Sequence, residues 1–208
     1  MAGDLIMAET VGIFGGSFDP IHFGHINLAI QIFEKKLVDK IIFIPASCSP
    51  FKVDKPPKAN AEHRINMLKL ALDGLDFATI DDIELKKEGV SYTIDTLRAL
   101  KEKFADLRLI VAKDTALEMH KWQNYQDVIK IAPLLVGRRE NHIHFPSDMD
   151  ANLKEMINKN LTAIKYMDIS STDIRERLNK SLYCSHLVPA KVLDYIYQHK
   201  LYCLSDSK

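Results

Sequence analysis

Two histidines three residues apart, His22 and His25, enclose Gly24 at the end of the run Gly15-Gly16-Ser17-Phe18-Asp19-Pro20-Ile21. Imidazoles donate hydrogen bonds to phosphate oxygens and stabilise charge that builds on them during a displacement. Paired glycines let a ligand approach the backbone closely, and a helix beginning just beyond them favours an anion at its amino end. The run has no Gly-Lys-Ser/Thr ending, so it is not a P-loop. It is not the Gly-x-Gly-x-x-Gly dinucleotide fingerprint either. A plain glycine turn would explain Gly15 and Gly16, but not two histidines bracketing a glycine where a first strand meets a first helix. A second polar cluster lies far downstream, Ile169-Ser170-Ser171-Thr172-Asp173-Ile174-Arg175. Hydroxyls at a helix start, with an arginine one turn on, make an anion cradle. The same residues also fit an ordinary cap, with Ser171 or Thr172 capping and Arg175 in solvent.

These clusters need elements to position them. Thr10–Phe14 is a short apolar run stopped by glycines, which predicts a buried strand. From Gly24, Ile26, Ile30, Phe33 and Leu37 follow helical spacing. Lys40–Pro45 is a second, β-branched run closed by proline. Strand, glycine turn, helix and strand make a βαβ unit with a parallel sheet. The proline-rich stretch Ala46–Asn60 reads as a long surface loop of the kind that is usually functional or mobile. A helix with Ile65, Leu68 and Leu72 on one face follows, then an edge strand within Phe77–Leu85 and a helix over Tyr92–Phe104. Strands are expected at Leu107–Ala112, Ala132–Gly137 and Leu161–Asp168. Helices are expected at Asn124–Lys130, Asp150–Asn158, Ser171–Leu178 and Val188–Gln198. The alternation predicts one doubly wound α/β domain, a mostly parallel, Rossmann-like sheet with helices on both faces. It spans residues 11–204 after a tail of residues 1–10, in which Met7 offers a second start.

Composition narrows the function classes. The 208 residues carry 28 basic and 28 acidic side chains, so the net charge is zero. That balance argues against a dedicated nucleic-acid binder but allows a local basic pocket. A hydrophobic fraction of 47% with 27% charged residues suits a folded core and excludes disorder as the main state. Cys48, Cys184 and Cys203 form no Cys-x-x-Cys pair, which fits neither a disulfide framework nor a zinc site. His142 and His144 lack further ligands at metal spacing. With no apolar run of membrane length and no basic n-region, the expected location is the cytoplasm, with reduced thiols and no membrane partner.

The segment ending His22-Phe23-Gly24-His25 resembles the H/T-x-G-H signature of the nucleotidyltransferase superfamily, and Ser170–Arg175 resembles its S-S-T-x-I-R signature. Over about Val11–Leu201 the chain resembles the bacterial nicotinate-mononucleotide adenylyltransferase family. Pro45–Lys52, His63-Arg64, Ser91-Tyr92-Thr93-Ile94-Asp95-Thr96-Leu97, Asp114, Trp122 and Arg138-Arg139 are similar to its other blocks. The resemblance implies transfer of the adenylyl group of ATP to nicotinate mononucleotide, with Mg²⁺ carried by the ATP phosphates and no protein metal site. It implies that His22, His25, Lys52 and Arg175 are catalytic. ATP would lie against Gly15, Gly16, Ser17, Phe18, Gly24, Asp114, Ile169, Ser170, Ser171 and Thr172. The acceptor would meet Ser91, Tyr92, Thr93, Trp122 and Arg138. From the residues alone, Trp122 fits ring stacking and core packing equally, and Arg64 reads equally as the partner of a helix carboxylate. Three positions depart from the family pattern: Phe51 where histidine is common, Ala112 where glycine is usual, and Glu140 in place of a Pro-Gly continuation. The alternatives are the same chemistry on nicotinamide mononucleotide or another phosphorylated acceptor, or a nucleotide-binding regulatory module without catalysis. The pattern admits a monomer or a homo-oligomer.

Overall fold

The computed structural model describes residues 9–47, 56–87, 90–138, 144–165 and 167–203, apart from the Arg138 side chain. Six parallel strands form one sheet: β1 (Thr10–Gly16), β2 (Lys40–Pro45), β3 (Ala78–Ile80), β4 (Asp106–Ala112), β5 (Leu134–Arg138) and β6 (Leu161–Ala163). Their order is β3-β2-β1-β4-β5-β6. The chain starts in the middle, builds outward to β3, then returns to lay β4 on the other side of β1. This reversal makes the carboxyl ends of β1 and β4 a topological switch point, where open α/β sheets bind ligands.

Strand side chains alternate between the two faces. On one face Phe14, Ile41, Phe43, Ile110 and Leu135 join a buried cluster. That cluster takes in α1 (Phe23–Glu34), α2 (Ala61–Leu72), α7 (Ser171–Asn179) and α8 (Ala190–Gln198). On the other face Ile13, Ile42, Ile44, Leu109, Val111 and Val136 join a second cluster. It takes in α3 (Thr93–Lys101), α4 (Lys113–Leu117), α5 (Tyr125–Ile131) and α6 (Ala151–Lys159). Each fully buried isoleucine or leucine contributes about 1.5–3 kcal/mol. Gly137 lets α1 lie close on β5, since a Cβ there would fall 2.5 Å from the Leu28 Cδ1.

The expected elements are present, with four differences. The strand expected over Leu161–Asp168 ends at Ala163, because side chains of α1 take over the backbone partners beyond it. Gln31 Oε1 accepts from the Lys165 N–H at 2.7 Å, and the Asn27 amide donates to the Lys165 carbonyl at 2.6 Å. The Phe77–Leu85 run is strand only at Ala78–Ile80, for Asp81 Oδ1 accepts the Ile83 N–H at 2.9 Å and turns the chain. The inward face of α2 begins at Arg64, not at Ile65, which is half-buried. The five-residue α4, too short to show a period, directly continues β4. No helix among the described residues is long and apolar enough to cross a membrane. Cys184 is buried and Cys203 exposed, both as free thiols; Cys48 lies outside the described residues.

Candidate active site

The site starts where β1 runs out. A Cβ at Gly15 would meet no atom within 4 Å, so the strand ends at open space. Phe18 takes a left-handed φ of 47° and turns its ring beneath the loop, edge-on to Phe14 and to His25 at 5.7 and 5.1 Å. Its side chain is therefore an anchor, and only its backbone can face a ligand.

His22 stands just before α1 in an extended conformation, and His25 is the third residue of the helix. Their rings stack at 3.7 Å and 28°. The His22 N–H donates to His25 Nδ1 at 3.3 Å, so a neutral His25 carries its proton on Nε2. His22 is only 5% exposed, and burial lowers its pKa to about 4. It is thus neutral at physiological pH and acts as a hydrogen-bonding ring rather than a cation. The amino end of α1 is partly engaged already. The Phe23 N–H donates to the Leu187 carbonyl at 3.0 Å and the His25 N–H to the His22 carbonyl at 3.0 Å. The anion preference of this helix end therefore rests on its dipole and the two rings more than on a full set of N–H donors.

The turn between β1 and α1 is held from several sides. Arg64, 3% exposed, donates from Nη1 to the carbonyls of Ser17 and Ala46, both at 2.8 Å. It pairs with no carboxylate of its own helix, which settles how that residue is used. Burial lowers its pKa, partly offset by Asp19 and Tyr202. The second cluster docks on the same turn. Ser170, not Ser171 or Thr172, caps α7, its Oγ accepting from the Thr172 N–H at 3.2 Å. That leaves Ser171 Oγ to donate to the Pro20 carbonyl at 2.9 Å. Arg175 is not left to solvent: Nη1 donates to the Asp19 carbonyl at 2.7 Å and Nη2 to Thr172 Oγ1 at 3.1 Å. Gly24 makes room for this docking, because a Cβ there would sit 3.3 Å from the Met167 carbonyl and 3.0 Å from His22 Nδ1. Ile169 packs against the first core cluster.

Of the expected acceptor residues, Tyr92 and Trp122 pack against the cluster on the other layer. Tyr92 precedes α3 and Thr93 opens it, both half-buried. Glu84 lies beneath, accepting from Thr96 Oγ1 at 2.8 Å, and burial raises its pKa. The buried Ser91 hydroxyl faces the same carboxylate without a well-formed hydrogen bond. Trp122 ends a short 3-10 turn, half-buried, its ring against the second cluster. Asp114 is exposed in the first turn of α4, just past the carboxyl end of β4. Ala112 caps that helix with φ −72° and ψ 158°, an ordinary extended conformation that any residue adopts, so the departure from glycine costs no backbone strain. Arg138 is the last residue of β5, paired with Ala163. Lys52, Phe51, Arg139 and Glu140 lie outside the described residues. Among the described residues no group of three His, Cys, Asp or Glu side chains could hold a metal ion.

The residue missed in the sequence is Asp19. Its carboxylate, 3% exposed, accepts from the N–H groups of Lys58 at 2.7 Å and Ala59 at 3.0 Å and from the Tyr202 hydroxyl at 2.6 Å. An acidic residue between Phe18 and a proline, in an otherwise buried turn, was the one available signal.

A family model described as cytidylyltransferase-like matches residues 13–177. The chain is 43% identical over 94% of its length, and 99% of the other, to a probable nicotinate-nucleotide adenylyltransferase of Hydrogenobaculum sp.. It is 36% identical to one from Methylacidiphilum infernorum, covering 92% of this chain and 91% of that one. The fold is similar to that of a Plasmodium falciparum nicotinic acid mononucleotide adenylyltransferase complexed with NaAD. There the TM-score is 0.75 at 22% identity, over 93% of this chain and 97% of that one. End-to-end identity at this level shows that the chain belongs to the nicotinate-nucleotide adenylyltransferase family, within the cytidylyltransferase-like proteins.

Proposed function

We propose that the protein transfers the adenylyl group of ATP to nicotinate mononucleotide, giving nicotinate adenine dinucleotide and pyrophosphate in NAD biosynthesis. The observation that carries this reading is the 43% identity, along nearly the whole of both chains, with the Hydrogenobaculum relative of that name. The geometry supports it: a stacked histidine pair stands beyond the carboxyl end of β1, and an arginine from α7 bonds the Asp19 carbonyl in the turn that leads into it.

In this reaction an oxygen of the acceptor phosphate bonds to the α-phosphorus of ATP, and the bond from that phosphorus to the bridging oxygen breaks. The electron pair leaves with pyrophosphate, and no covalent enzyme intermediate is needed. Catalysis is positioning plus charge stabilisation. His25 offers its Nε2 proton to the transferring phosphoryl oxygens. His22 stacks beneath it and keeps that ring in place. Arg175 supplies fixed positive charge, and Lys52, in the connection between β2 and α2, adds a second positive charge. Gly15 and Gly16 let the nucleotide close on the backbone. The carboxylate at hand, Asp114 just past the carboxyl end of β4, fits a divalent ion such as Mg²⁺ only as one that arrives on the triphosphate. Bound there, it would neutralise triphosphate charge. Thr93 and Tyr92 at the start of α3, with Trp122 and Arg138, take the acceptor. A reaction that draws on ATP fits a cytoplasmic enzyme.

The test is pyrophosphate release from ATP and Mg²⁺ with nicotinate or nicotinamide mononucleotide at matched concentrations. Strong preference for the acid is expected. Preference for the amide overturns the acceptor, and silence with both, alongside ATP binding, overturns the activity. In the same assay His25→Ala should lower kcat by about 100-fold or more, the scale for removing one charge-stabilising donor, with ATP affinity near parental.

A further inference from the structure

The C-terminal turn reaches back across the molecule to the candidate site. After α8 the chain reverses, with Lys200 and Tyr202 both left-handed at φ 51° and 62°. The Leu201 N–H returns to the Ile196 carbonyl at 2.9 Å. Left-handed backbone is unfavourable for residues with a Cβ, and here it aims a phenol inward. The hydroxyl of Tyr202 donates to Asp19 Oδ1 at 2.6 Å, and the two residues are 183 positions apart.

Asp19 is a crossroads. Its Oδ1 also takes the Ala59 N–H and its Oδ2 the Lys58 N–H, at the end of the connection that carries Lys52. Its Oδ2 lies 3.7 Å from Arg175 Nη1, which also donates to the Asp19 carbonyl. The orientation of this one carboxylate thus couples Arg175 and the β2–α2 connection to the turn that leads into His22. Burial beside Asp19 pushes the Tyr202 phenol upward in pKa, so it stays a donor at any working pH.

We propose that Tyr202 is a positioning residue for the ATP half of the site, acting through Asp19 on Arg175. The proposal rests on the reading of that half as an ATP site. Tyr202→Phe keeps the ring and removes only the hydroxyl. ATP affinity, by calorimetry, and ATP KM, by pyrophosphate release, should each weaken roughly tenfold, since small misplacements of positioning groups cost factors of this size. The KM for the acceptor mononucleotide should stay within about twofold, and in an Arg175→Ala background the same substitution should add less than about twofold, as coupled residues do.

Unchanged ATP affinity, an equal rise in both KM values, or a full additive loss in the Arg175→Ala background overturns the proposal. If the unaltered protein binds ATP but releases no pyrophosphate with either mononucleotide, the proposed reaction falls, and the calorimetric comparison still decides the role of Tyr202. If it binds no ATP, both fall.

Discussion

His22 is a base that the fold prevents from becoming charged. Its ordinary pKa of 6.5 falls to about 4 on burial. Between those values the unfolded chain binds a proton that the folded chain refuses. Stability should therefore be complete above about pH 6.5 and fall as the pH drops. The loss approaches about 2 kcal/mol at pH 5 and about 3 kcal/mol at pH 4 from this residue alone. Urea unfolding of the parent and of His22→Asn over this range measures it, and parallel pH profiles would remove the assignment. Residue types and spacing were enough to single out His22, Gly24, His25 and Arg175. They did not reveal Asp19 or the partners of Arg64. The bonds to Ala59 and Tyr202 span 40 and 183 residues, and no local pattern encodes a contact of that range. The sequence points to Ser171 or Thr172 as the cap of α7, and Ser170 takes it, for a related reason. The Pro20 carbonyl that engages Ser171 comes from 151 residues away.

At the scale of elements, α1 matters most, because His22 leads into it, His25 lies in its first turn, and the second cluster docks on the turn before it. Gly24 is a point of close approach, where a Cβ would lie 3.3 Å from the Met167 carbonyl. Gly24→Ala should cost about 1–3 kcal/mol, the usual range for overpacking. It should also lower kcat more than that loss of folded protein explains, because the same methyl presses on the His22 ring. Denaturant midpoints and turnover measured together check this, and parental values for both would show that the approach is slack. Central strands were legible: the β-branched run Lys40–Pro45 is β2 residue for residue. Edges were not, because an edge strand ends where partners end rather than where apolar residues end. β6 stops after three residues once Asn27 and Gln31 of α1 capture the Lys165 backbone.

Across the whole molecule, the two candidate half-sites rest mainly on different layers, although Asp114 of the ATP half lies in α4 on the second. Phe18, Ile21 and Ile174 sit in the cluster on one face of the sheet, and Ile94, Tyr92 and Trp122 with the cluster on the other. Ile174→Val should raise the KM for ATP and spare the acceptor, whereas Ile94→Val should do the reverse, each costing about 0.5–1.5 kcal/mol of stability. Steady-state kinetics in both substrates decides it, and equal effects on both KM values would show the layers to be coupled. The doubly wound plan was legible from the alternation of strands and helices. Which helices shared a layer was not, because that depends on the β3-β2-β1-β4-β5-β6 order, which only long-range pairing determines. The same division bears on descent. A lineage could trade one mononucleotide for another by altering residues beneath α3 and α5, leaving His22, His25 and Arg175 on the far side of the sheet untouched. The two layers would then be heritable separately, one held to its chemistry and the other free to follow whichever mononucleotide the cell meets.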